Sequence, residues 1–107
     1  MLQGNEFRID MNVMAVDKAG VVRISGELNF VTVPMLSKNN RSLITNNSEV
    51  IFDLSQVTIS DNTGVALLIA LTSYAKDMGK KISFINLPKQ LLELVAAGGV
   101  RDILPIL

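Results

Sequence analysis

The chain has 107 residues, with ten Lys and Arg against ten Asp and Glu, no cysteine and no histidine. That length fits one domain with a single modest core, and a composition 49% apolar but only 5% aromatic makes the core aliphatic, with few rings to lay against a base or flat cofactor. The missing residue types exclude disulfides, thiolate chemistry, the commonest metal ligand and the commonest general base near neutral pH, and the charges lack the Lys/Arg clustering of nucleic-acid binders.

The first residues show no basic segment followed by an apolar run. The longest apolar stretch, Val65 to Leu71, is too short to cross a bilayer, so a cytoplasmic protein is expected. From Phe7 to Val16 apolar and polar residues alternate loosely, as in a half-exposed strand. Asp17-Lys18-Ala19-Gly20 reads as a turn, and Val21 to Ser25 as a second strand, antiparallel to the first. Thr32 is placed to cap a helix with an early Pro34, tolerated because first-turn N–H groups lack intrahelical partners. Leu36, Leu43 and Ile44 supply its buried stripe, and Asn46-Asn47 ends it. Glu49 to Leu54 is a short, nearly all-apolar run and reads as a central strand.

A loop, Ser55 to Gly64, leads into a helix from about Thr63 to Met78, with Asn62 or Thr63 as its cap. Gly79 stops the helix, and Lys76 with Lys80-Lys81 suits the negative end of its dipole. Ile82 to Ile85 is another strand. Pro88 opens a last helix through Leu91, Leu92, Leu94 and Val95, which Gly98-Gly99 terminates. Ile103 to Leu107 is a candidate edge strand. The order β-β-α-β-α-β-α-(β) implies an α/β fold: a mixed sheet of four to five strands with helices packed on it, in one domain spanning residues 1–107.

The second helix is more apolar than one buried stripe requires. Leu67, Leu68, Leu71, Ala75 and Met78 make a stripe, which leaves Val65, Ala66, Ile69 and Ala70 over. Either a neighbouring helix covers the excess, or a partner does; in the second case Val65 and Ile69 lie on a docking surface.

Two motifs carry a family resemblance. Asp53-Leu54-Ser55-x-Val57, followed by Asp61-Asn62-Thr63-Gly64-Val65-Ala66-Leu67-Leu68, resembles the signature of STAS domains, the fold of anti-sigma-factor antagonists. Ile24-Ser25-Gly26-Glu27-Leu28-Asn29 is similar to the family's Gly-Glu-Leu-Asp turn. Gly64 to Ile69 and the ending Asp102-Ile103-Leu104-Pro105 look most like MlaB, the STAS subunit of the Mla phospholipid transporter. The resemblance implies a non-catalytic module that binds the ATPase subunit of an ABC transporter, reaching the inner face of the inner membrane only through that partner. It also implies docking through Asp61, Asn62, Thr63, Val65, Ala66 and Ile69. The alternative is an antagonist that binds an anti-sigma kinase.

The sequence departs from the family at two positions. Asn62 stands where sigma-factor antagonists carry the Ser or Thr that the kinase phosphorylates, and Asn29 replaces the acid that ends the Gly-Glu-Leu-Asp turn. Thr63, one residue on, is a hydroxyl that could take a phosphate at the helix N-terminus. Asp53 and Asp61 could be imagined as an acid–base pair, but no third polar group accompanies them. Gly-rich phosphate-binding motifs are absent. No catalytic residue, metal ligand or cofactor is expected.

Overall fold

The structure is a computed structural model describing residues 20–107. The expected first strand, Phe7 to Val16, and most of the turn after it lie outside the described residues. β1 (Val21–Leu28), β2 (Glu49–Ser60) and β3 (Lys81–Ile85) form a parallel sheet in the order β1-β2-β3. α1 (Val33–Asn46) joins β1 to β2, α2 (Asn62–Asp77) joins β2 to β3, and α3 (Lys89–Ala97) follows β3. These are two successive βαβ units. Right-handed crossovers in a sheet that grows in one direction put both helices on the same face, and α1 and α2 do pack against each other.

The core is aliphatic, as the composition requires. Val22, Ile24, Leu36, Ile44, Leu54, Leu68, Leu71 and Val95 are fully buried around Phe52 and Phe84, whose ring centroids lie 5.7 Å apart.

β2 is twice as long as expected, running through Ser60 where the sequence suggested a loop. The pairing with β1 explains the difference. Register shifts between Arg23 and Ser25 and again between Gly26 and Leu28 each give β2 one extra residue. Bulges of this kind break the two-residue alternation by which a strand is recognised, so Leu54, Val57 and Ser60 are buried at a spacing of three. Gly26, at φ 88°, supplies the backbone freedom the second irregularity needs.

The helix boundaries hold, but two caps differ. Thr32 makes no side-chain cap bond to α1. One turn earlier, Asn29 Oδ1 accepts the N–H groups of Val31 and Thr32 at 2.9 and 3.1 Å, and Thr32 Oγ1 accepts Asn29 N–H at 3.0 Å. This reciprocal arrangement resembles a capping box, with the amide oxygen doing what a carboxylate would. α2 is capped by Asp61, not by Asn62 or Thr63. The expected final strand is reduced to a 3-10 turn, Arg101–Ile103, and a single parallel bridge between Phe84 and Ile106.

Candidate functional site

The carboxyl ends of parallel strands are where open α/β sheets carry their binding sites. Here β1 and β2 end side by side, Leu28 opposite Ser60, and the chain turns from β2 straight into α2. Asp61 makes that turn. Its backbone is extended, its N–H donates to Leu28 O at 3.2 Å, and its Oδ1 accepts Thr63 N–H at 2.8 Å. The Thr63 hydroxyl donates to the same oxygen. These bonds from the Thr63 hydroxyl and N–H hold the Asp61 carboxyl below its ordinary range, so it stays ionised at the positive end of the helix.

Ser60 is buried beneath this corner. Its hydroxyl donates to Asp61 O at 3.0 Å, and its N–H reaches Gln90 Oε1 on α3 at 3.0 Å. Gly64 is required by close approach: a Cβ there would run into Ser60 Oγ and come within 3.1 Å of Leu28 Cβ. The first turn of α2 is thus pressed onto the two strand ends, with Asp61 and Asn62 facing solvent and Thr63 half-exposed.

Along the rest of the helix, Ala66 is exposed and Ile69 half-buried, whereas Val65 is 7% exposed and belongs to the core. Of the two apolar side chains expected at a surface, only Ile69 offers part of itself. Met78, expected in the buried stripe, is 43% exposed, because it follows the last turn and α2 has already passed the sheet.

The largest exposed apolar side chains near this corner were not anticipated. Phe30 is 76% exposed, Val31 68%, Ile59 57% and Met35 48%. Phe30 and Val31 sit in the turn after Leu28, which the Asn29 bonds above and a 2.7 Å bond from Thr32 Oγ1 to Glu27 O hold rigid. Their signal was legible: two consecutive large apolar residues inside a turn have no core to face.

Asp53 and Asp61 do not make a catalytic pair. Seven strand residues lie between them, roughly 25 Å along an extended chain. Asp53 is buried in the sheet beside Arg23 at 3.6 Å, accepting Ser55 N–H at 2.9 Å and the Asn86 amide at 3.3 Å. Burial pushes its carboxyl up, but the Ser55 and Asn86 hydrogen bonds and the Arg23 charge outweigh it and leave it lowered. Two carboxylates both held ionised lack the split in acidity that acid–base catalysis uses. Among the described residues no cluster of three or more acidic side chains could hold a metal ion, and no helix is long and apolar enough to cross a membrane.

Comparison with known proteins agrees with this geometry. The chain belongs to the STAS domain family: the family model described as "Mlab, STAS domain" matches residues 11–105. The anti-sigma-B factor antagonist of Bacillus subtilis (strain 168) is 26% identical over 85 residues, covering 79% of this chain and 78% of the relative. A putative anti-sigma factor antagonist from Thermotoga maritima superposes with a TM-score of 0.73 at 15% identity, over 90% of this chain and 85% of that one. The unphosphorylated anti-sigma factor antagonist SpoIIAA gives a TM-score of 0.66 at 16% identity, over 81% and 76%. An antagonist from Mycobacterium paratuberculosis gives 0.66 at 23%, over 84% and 79%. The fold is that of the anti-sigma-factor antagonists.

Proposed function

We propose that this chain is a non-catalytic docking subunit that holds its partner without a phosphorylation switch, through Asp61, Asn62, Thr63, Ala66 and Ile69 with the adjoining Phe30-Val31 turn. The observation that carries this reading is the chemistry of the α2 start. Its exposed residue after the cap is an amide, Asn62, which has no hydroxyl to phosphorylate. The two neighbouring hydroxyls are poor substitutes: Ser60 is buried, and a phosphate on Thr63 would stand against the ionised Asp61 carboxylate that its hydroxyl now contacts. Val65 is left out of the docking set because it is spent on the core.

The partner this favours is the ATPase subunit of an MlaB-like ABC transporter, which would bring the chain to the cytoplasmic face of the inner membrane without its touching lipid. The MlaB description of the matching family supports that choice. The test is co-expression with the ATPase subunit of an MlaB-like transporter from the same source. Wild type co-purifies with it, while Thr63→Arg and Ile69→Asp, both correctly folded by circular dichroism, do not. Unimpaired co-purification of both variants contradicts the docking face.

The similarity to the Bacillus antagonist favours a second reading, in which the partner is an anti-sigma kinase. That reading expects a kinase complex and, if the switch survives, phosphate on Thr63 or Ser60. Mass spectrometry after incubation with kinase and ATP separates the two: the unmodified mass is expected under the first.

A further inference from the structure

The outward side of α2 continues beyond the first turn as Ala66, Ala70 and Ser73, all exposed. Along its flank the 3-10 turn near the chain end approaches the helix, and together they enclose a groove of about 270 Å³ lined by Ile69, Thr72, Ser73, Lys76, Ile103 and Leu104. Its polar content is small. The Thr72 hydroxyl is already spent on Leu68 O at 2.7 Å. Lys76 is exposed and, among the described residues, forms no ion pair. Ile103 stands 63% exposed at the other wall.

We propose that this groove receives a helix of the same protein partner, with an apolar side chain seated between Ile69 and Ile103 and a carboxylate on Lys76. The proposal rests on the docking reading above, because Ile69 belongs to both surfaces and makes them continuous. Charge complementarity selects the carboxylate: among the described residues the lining holds one cation, Lys76, without an ion pair, and no acidic side chain. The small side chains Ala66, Ala70 and Ser73 let a partner helix come near the α2 axis, since interaxial distance follows side-chain size at the contact. A helix laid in a groove by an apolar anchor is a recurrent recognition mode.

The experiment is calorimetric titration of the ATPase subunit with wild type, Thr63→Arg, Lys76→Glu, Lys76→Arg and Ile103→Asp, each with an unchanged far-ultraviolet spectrum. Lys76→Glu and Ile103→Asp are expected to weaken binding by about tenfold or more, with Lys76→Arg near wild type. Wild-type affinity in Lys76→Glu and Ile103→Asp, together with loss in Thr63→Arg, overturns the groove and leaves the docking reading intact. Failure of wild type to bind the ATPase removes both. Two further results assign the groove elsewhere and overturn the proposal: phosphatidylglycerol vesicles that bind wild type but not Lys76→Glu, or wild-type self-association in sedimentation that Ile103→Asp abolishes.

Discussion

Asp53 was read from the sequence as the end of a strand and turns out to sit in its middle, where Ser55, Asn86 and Arg23 converge on its carboxylate. Asn86 reaches it from a left-handed backbone, φ 58°, a contact no sequence pattern announces because it joins residues 33 apart. Since the folded state lowers this acidity, its contribution to stability is complete above the ordinary value of 3.8 and is lost as pH falls through the lower folded value. Urea unfolding of wild type and Asp53→Asn between about pH 2 and pH 7 should show a stability gap that closes toward the acid end. A gap of constant size contradicts this account. Asn40 is the opposite case. It occupies the buried stripe of α1 between Leu36 and Ile44, fully buried, and neither amide atom has a hydrogen-bond partner among the described residues. An amide on a helix suggests the solvent side, and nothing in the sequence marks this one as buried. Asn40→Leu, close in volume, should stabilise the protein by about 1–3 kcal/mol, read as a raised urea midpoint; destabilisation would mean the amide has a hidden role.

At the scale of elements, α1, α2 and α3 were legible from their helical spacing between Pro, Gly or a cap, and β3 as a short apolar run after Gly79. The second half of β2 was not, because two bulges replaced the alternation with a spacing of three. The surface of α2 was half legible. Its excess of apolar residues is real, but the contact between the α2 start and the strand ends consumes Val65 and leaves Ile69. The two positions should therefore separate in experiment: Val65→Asp unfolds the domain, whereas Ile69→Asp keeps the fold and loses the partner. Equal loss of thermal stability in both would place Ile69 in the core as well. Gly64 governs how closely helix and strands meet. Gly64→Ala should cost about 1–3 kcal/mol, and Ser60→Ala in the same chain should return part of it by removing the atom in the way. Additive losses in the double variant would show that the close approach is not the cause.

For the whole molecule, the alternating β-α order was enough to place the chain among α/β folds, and the Asp61–Leu68 motif, with the Gly26-Glu27-Leu28 turn, was enough for the family. What neither could convey is that both motifs meet at one corner, because β1 and β2 end together and Asp61 bonds to Leu28. That corner carries the exposed turn, the ionised cap and the amide of Asn62. The amides of this corner are held by cap and turn bonds, such as those of Val31 and Thr32 to Asn29 and of Thr63 to Asp61, and should exchange faster in the free protein than the amides inside the sheet. Hydrogen exchange on the complex with the ATPase subunit is the direct measurement. The account predicts slowed exchange in residues 29–33 and 61–66, with β3 unchanged; protection confined to β3 or α3, with the corner exchanging as in the free chain, would contradict it.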